Sequence, residues 1–306
     1  PATKGAALPH PDSIVLKSLD FSPPRAERIV LDNGMVLFFM KDAELPLVNV
    51  TVVTRAGSVF DPPGLEGLAN ITGSAMLSGG TRNKTPDEVD DEIDFLAARI
   101  DVSVTLEILA LSLNATRETF DQAFELFSEI LHYPRFSEER LATTRNIAIE
   151  RLKRLPDNPQ QFAFRELSRV FYNDDHWGRS ATTGTVKAIE RSHLEWFHKE
   201  FIKTGPAMIA VTGATSAEEI MNRLNDLFSN RSLKEVEPVP DPPGSRDSAP
   251  YYYLARQLPQ SVIITGYMAP GKKSSDYYAM EVLKTIAGGG GFQSRIMTEI
   301  RTRRGL

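Results

Sequence analysis

Between two short apolar runs the chain reads Asp32-Asn33-Gly34. Asn-Gly accepts the left-handed backbone that a tight reversal needs, so this tripeptide is a strong local signal for an antiparallel hairpin. It makes Arg28–Leu31 and Met35–Met40 a pair of strands. Leu47–Thr54 (LVNVTVVT), with β-branched residues throughout, reads as a third strand. A chain that opens this way has a sheet to cover, and the helical patterns downstream supply the cover. Thr85-Pro86-Asp87-Glu88 is a capping box with proline at the first helical position, opening a helix to about Ile100. Val102–Thr105 and Ile108–Asn114 read as strands. Arg117–His132, Ser137–Leu155 and Gln160–Tyr172 read as amphipathic helices closed by Pro134, Pro156 and Asn173. His193–Ile202 is a further helix, Met208–Thr212 a strand and Ser216–Phe228 a helix. The expected class is α+β, an antiparallel sheet layered with helices.

Composition narrows the function. The chain has 306 residues, 41% hydrophobic and 25% charged, as in a soluble globular protein. A formal charge of −5, with no basic block, argues against nucleic acid as a partner. The absence of cysteine excludes disulfides, thiolate zinc sites and cysteine nucleophiles. The sequence has no run of eighteen apolar residues, so no membrane span is expected.

The domain plan comes from the prolines. Residues 1–25 read as an N-terminal arm and residues 26–229 as one full domain. Residues 230–250 hold Pro238, Pro240, Pro242, Pro243 and Pro250 and read as a semi-extended linker. Residues 251–306 read as the start of a second domain: strands Tyr251–Arg256 and Ser261–Met268, a helix Ser274–Ala287, glycines Gly288–Gly291 and a last helix to about Arg304. Leu45-Pro46 before a strand ending in Ala56-Gly57 is echoed by Leu258-Pro259 before one ending in Ala269-Pro270-Gly271. This repeat predicts that the two domains are related. The second is short, which makes the chain a fragment of something longer.

The chemistry-bearing candidates are few. Gly64–Thr81 (GLEGLANITGSAMLSGGT) reads as one helix bounded by Pro-Pro-Gly and Gly-Gly, with Leu68, Ile71, Ala75 and Met76 on its apolar stripe. Its polar residues Asn70, Thr72 and Ser74 are small, and none is a good metal ligand or proton carrier. His193 and His198 are five residues apart and do not share a helix face. His132 ends a helix, where a cation suits the dipole. His10 lies in the arm, and His176 in NDDHWG reads as a loop residue. Gly288–Gly291 lacks the Lys-Ser/Thr of a phosphate loop and the pattern of a dinucleotide fingerprint.

Several segments together resemble the insulinase, pitrilysin and mitochondrial-processing-peptidase family of zinc peptidases. The helix at Gly64–Thr81 is similar to the family's GLAHFLEHMLFxGT, with Gly67-Leu68-Ala69, Met76-Leu77 and Gly80-Thr81 in frame and one residue added before the last pair. LDNG at Leu31–Gly34, LPLV at Leu45–Val48 and AGS at Ala56–Ser58 also fit, and NDDHWG resembles an HPYG loop. The family's HxxEH falls on Asn70, Gly73 and Ser74, so both histidine ligands and the general base are replaced. Glu150, in RNIAIERL, falls at the spacing of the third ligand. The tail IMTEIRTRRGL is similar to LFQEIREKRGLAYS. There an Arg and a later Tyr bind substrate and stabilise the oxyanion; Arg301 matches the Arg, and the Tyr would fall two residues beyond Leu306.

The resemblance implies a processing-peptidase-like fold and a non-catalytic chain. It implies a heterodimer with an HxxEH-bearing paralogous subunit, to whose peptide hydrolysis this chain lends Arg301. The alternative is a structural or peptide-binding scaffold subunit without a catalytic contribution. No cofactor is expected in this chain, zinc being expected only in the partner. The expected compartment is the periplasm or cell envelope, with the cytoplasm as the alternative.

Overall fold

The computed structural model describes residues 22–172, 175–228, 234, 238–239, 241–242 and 251–305. The expected arm over 1–25 lies outside these except for 22–25. The expected linker over 230–250 lies outside them except for the isolated positions just named.

Six strands form one sheet: β1 (Glu27–Val30), β2 (Val36–Lys41), β3 (Leu47–Thr54), β4 (Arg99–Val104), β5 (Leu109–Thr116) and β6 (Ala207–Gly213). Their order in space is β1-β2-β6-β3-β5-β4. The hairpin expected at Asn33-Gly34 is present, with Val30 opposite Val36 and Gly34 at φ +84°. The antiparallel expectation needs one correction. β6 returns after the helical excursion and inserts between β2 and β3, antiparallel to β3 but parallel to β2, from Val36↔Met208 to Lys41↔Gly213. A parallel pair requires a long crossover, and the helices provide it.

Alternation along the strands sets two faces. Val48, Val50 and Val52 of β3, Leu109, Leu111 and Leu113 of β5, and Ile209 and Val211 of β6 are buried. Asn49, Thr51, Ser112 and Asn114 line the opposite, wetter face, where the Thr51 and Ser112 hydroxyls lie 3.1 Å apart. The helices are α1 (Leu68–Ser78), α2 (Pro86–Phe95), α3 (Phe120–His132), α4 (Glu138–Arg154), α5 (Pro159–Tyr172), α6 (Thr183–Ala188), α7 (Arg191–Phe197), α8 (Ala217–Phe228) and α9 (Tyr277–Lys284). α3 packs on β5 and buries Phe120, Phe124, Phe127, Ile130 and Leu131. Each such side chain contributes about 1.5–3 kcal/mol of hydrophobic stabilisation.

Four local expectations are corrected. The helix opened by Thr85 has the full capping box but ends at Phe95. Ala97 takes a positive φ, and residues 99–104 join the sheet, where Ile100 is buried. The helix expected over His193–Ile202 is α7 followed by a π-helical turn, His198–Lys203. α6 was not anticipated; its signal is the reciprocal Thr182/Thr185 cap. Residues 251–268 form no strand. β-rich sequence needs a partner strand to become a ladder, and among the described residues none pairs with them. They run instead along α5, where the Arg256 guanidinium donates to the Pro156 carbonyl at 3.1 Å and stacks 4.8 Å from the Phe162 ring.

The placement of α1 rests on a buried carboxylate. Asp61 accepts from the Gly67 amide at 2.7 Å with one oxygen and from the Ala69 amide at 2.8 Å with the other. It thereby satisfies two donors at the helix start and opposes the positive end of the dipole. Burial nevertheless pushes the Asp61 carboxyl up to about 7, against the lowering by those amides. We expect Asp61→Ala to lower stability by about 1–2 kcal/mol, read by urea denaturation. A carboxyl that binds its proton more tightly in the fold than in the unfolded chain stabilises below its unfolded value of 3.8 and loses that contribution as pH rises through about 7. Between those limits the Asp61-dependent part of the unfolding free energy should fall with pH, and Asp61→Asn should flatten that slope.

Candidate functional site

α1 lies at the centre of the helical layer, in contact with β4, α3, α4 and α7. Leu68, Ala69, Ile71, Thr72, Gly73, Ala75 and Met76 are buried, so only a narrow strip reaches the surface. Asn70 and Ser74 form that strip, one turn apart and both exposed. The helix enters through Gly67 at φ +104°, which a side chain would not tolerate. A β-carbon there would also meet the Ala181 methyl at 3.1 Å and Val186 at 3.3 Å.

The loop before α6 locks this entry. His176 Nδ1 lies 3.2 Å from the Val59 carbonyl and 2.9 Å from Arg179 Nη2. Arg179 donates to the Asp61 carbonyl at 3.3 Å and lies 3.9 Å from the Glu66 carboxylate. The Thr185 hydroxyl donates to the Glu66 carbonyl at 2.9 Å. His176 thus serves the loop. His193 accepts from the Glu190 amide at its helix start, and His198 is buried with Nε2 2.8 Å from the Leu131 carbonyl. Sequence reasoning missed Asp61 and Arg179. Asp61 was legible as an acid before the Pro-Pro-Gly that leads into the helix; Arg179 carried no local signal.

Gly73 faces the sheet. A β-carbon there would lie 3.0 Å from Cγ2 of Val104 and 3.4 Å from both Cγ2 of Val102 and Cδ1 of Leu109. β4 and β5 therefore occupy the space that a longer side chain would need. Glu150 sits on α4, which packs against α1. Its carboxylate is 56% exposed and receives Lys153 Nζ at 2.7 Å, which holds it below the usual carboxylate range. Arg301 lies apart from α1 in sequence and element, on a π-helical turn Met297–Thr302. It is exposed, and its guanidinium rests 5.2 Å from the Phe292 ring centre. The structure brings the helices bearing Asn70, Gly73, Ser74 and Glu150 together, while Arg301 stands on a separate element.

Hydrolytic zinc needs about three ligands and a base for the water. Here the positions offer an amide, no side chain, a hydroxyl and a lysine-paired carboxylate. Among the described residues no three His, Cys, Asp or Glu side chains group closely enough to share a metal ion. This donor set does not fit zinc. Asn70→His with Ser74→His changes only exposed side chains and should leave stability within about 0.5 kcal/mol of wild type. Adding Gly73→Glu forces a carboxylate against Val102, Val104 and Leu109 and should cost at least about 3 kcal/mol, measured by chemical denaturation.

Comparison with known proteins places the chain in a family. The family described as Insulinase (Peptidase family M16) matches residues 38–184, and that described as Peptidase M16 inactive domain matches residues 188–306. β6 and α8, which complete the sheet and its cover, fall within the second match. A Rickettsia bellii protein described as an uncharacterized zinc protease is 22% identical over 278 residues, 90% of this chain and 66% of its own length. A probable mitochondrial-processing peptidase subunit beta of Arabidopsis thaliana is 22% identical over 289 residues, 92% of this chain and 54% of its own length. The chain thus spans two thirds or less of these relatives. A peptidase M16 inactive domain from Pseudomonas fluorescens superposes with TM-score 0.75 at 23% identity, covering 92% of this chain and 69% of that one. A Helicobacter pylori protease does so with TM-score 0.73 at 16% identity, over the same shares of the two chains. At such identities the solved structures speak to the fold. The two family matches cover most of the chain, which therefore belongs to peptidase family M16.

Proposed function

We infer that this chain is a non-catalytic M16 subunit that works beside an HxxEH-bearing paralogue, contributing to substrate binding and oxyanion stabilisation in peptide hydrolysis. The observation that carries this reading is the state of α1. The helix keeps the family's frame and place, while Asn70, Gly73 and Ser74 stand at the ligand and base positions and Val104 closes on Gly73. A Mitochondrial-processing peptidase subunit beta of Dictyostelium discoideum, 19% identical over 247 residues, and its Arabidopsis counterpart are by name subunits of an assembly. They support the partner. Zinc belongs to that partner, and the working compartment is the periplasm or cell envelope.

Arg301 is the residue this chain would lend. A guanidinium is a permanent cation with several donors, suited to a developing oxyanion or a substrate carbonyl. The Phe292 ring lies against its guanidinium without consuming its donors, and no carboxylate pairs with it among the described residues. The neighbouring Arg303, by contrast, is engaged by Glu299 at 2.6 Å. An arginine kept unpaired beside a paired one suits a role toward another molecule.

Three measurements test this reading. Plasma mass spectrometry of the purified chain should find no stoichiometric zinc, and the chain alone should leave peptide substrates uncut; about one zinc per chain would overturn the non-catalytic assignment. In the full-length protein mixed with its HxxEH partner, Arg301→Ala should lower peptide cleavage by roughly 10²–10³ if it acts as a single oxyanion donor, with complex formation preserved. Unchanged cleavage in an intact complex would leave a scaffold subunit.

A further inference from the structure

A basic cleft of about 570 Å³ opens where the segment after α1, the segment after α3 and the π-helical turn after α7 converge. Its charge runs against that of the chain. Arg82, Arg135, Arg191, Lys199 and Lys203 line it, with Glu195 as the single acidic residue. Glu195 is already spent on Arg191 at 2.8 Å. Among the described residues no carboxylate lies within 4 Å of the other four cations, although Glu88 feels the charge of Arg135 from farther off. Gathering like charges in one concavity costs stability by mutual repulsion, and a chain of net charge −5 has carboxylates with which to quench them.

The cluster is also held in place. Thr81 and Pro134 form an isolated β-bridge, flanked by Arg82 N–H donating to the Tyr133 carbonyl at 2.9 Å and Arg135 N–H donating to the Gly80 carbonyl at 3.0 Å. Glu129 pins this bridge from outside the cleft, accepting from the Thr81 hydroxyl at 2.7 Å and the Asn83 amide at 3.1 Å. The Tyr133 ring, 41% exposed, carries the Arg82 guanidinium at 4.1 Å and the Lys203 ammonium at 5.0 Å from its centre. Cation–π contact fixes both side chains while leaving their N–H donors free. Lys199 and Lys203 stand on the same π-helical segment.

We propose that this cleft binds an acidic peptide segment, its carboxylates paired with Arg82, Arg135, Lys199 and Lys203 and its apolar stem laid against Tyr133. The volume suits a few residues of extended chain. The backbone argues for carboxylates over a phosphate group. Phosphate sites recruit main-chain amides, but here the Arg82 and Arg135 amides are consumed by the bridge and Pro134 has none. Recognition rests on separated side-chain cations, which match carboxylates spaced along a peptide. This site is distinct from Asn70, Gly73 and Ser74, and it belongs to the chain alone, whether or not a catalytic partner exists.

The test is fluorescence anisotropy of the purified chain with fluorescein-labelled hexaglutamate at low ionic strength, beside labelled hexaglutamine and with tripolyphosphate as competitor. Hexaglutamate should bind at least about tenfold more tightly than hexaglutamine, and Arg82→Gln with Lys203→Gln should weaken it by about tenfold or more. Lys187→Gln with Arg151→Gln, outside the cleft, should leave binding unchanged and so separates the site from general charge. The cleft variants should melt at or above the wild-type temperature, since they relieve repulsion; a binding loss that accompanied unfolding would overturn the assignment. Equal affinity for the two peptides, or hexaglutamate binding that survives the cleft substitutions, would also overturn it. Tripolyphosphate binding without hexaglutamate binding would replace the peptide with a phosphate ligand.

Discussion

Two hydrogen bonds accepted by one carboxylate decide where the central helix of this protein begins. Asp61 takes the amides of Gly67 and Ala69, and burial makes that carboxylate costly to ionise. The fold accepts the cost because the alternative is two orphan donors at a buried helix start. The surroundings of α1 depend on that anchor. Gly67 must take a left-handed turn to reach the cap, and its lack of a side chain lets Ala181 and Val186 close on it. Arg179 and Thr185 can then reach back to the Asp61 and Glu66 carbonyls. A chain stretch more than a hundred residues away is thereby fastened to the helix entry.

The same closeness governs chemistry on the other side of the helix. With α1 fixed at its start and packed on β4, position 73 favours a small residue, because a β-carbon there would already meet Val104 at 3.0 Å and Val102 and Leu109 at 3.4 Å. A glycine at this position is more than the absence of a functional group. The strand side chains occupy its volume, so packing now favours the apolar state. Asn70 and Ser74, on the exposed strip, face no such constraint. The three positions thus differ physically: Asn70 and Ser74 stand on an open strip, whereas Gly73 is packed against strand side chains.

Much of this was legible in sequence. The hairpin at Asn33-Gly34, the LVNVTVVT strand, the Thr85 capping box and the long amphipathic helices rest on local patterns, and local patterns survive folding. The parallel β2–β6 seam was not legible, since pairing across some 170 residues leaves no periodic trace. Residues 251–268 show the opposite failure. Their alternation is strand-like, but a strand is a property of two segments, and the local signal said nothing of a partner. At the site, the identities of Asn70, Gly73 and Ser74 could be read off directly. The encroachment of Val104 on Gly73 could not, nor could the convergence of Arg82, Arg135 and Lys203, which come from three separate segments of chain.

That convergence bears on what the cations of this M16 chain are for. Stability alone would not assemble unpaired cations around Tyr133, because each added charge raises the work of holding the others. Nor would it hold Arg301 over Phe292 with its donors free while Arg303 is quenched by Glu299. In both places an aromatic ring lies against the cation and takes none of its N–H donors. A ring can do this where a carboxylate cannot, since a salt bridge consumes the donors it orients. Where the resemblance would put ligands and a base, the chain carries Asn70, Gly73 and Ser74, while its arginines and lysines gather at Tyr133 and Phe292, a distribution suited to holding a carboxylate- or carbonyl-bearing chain.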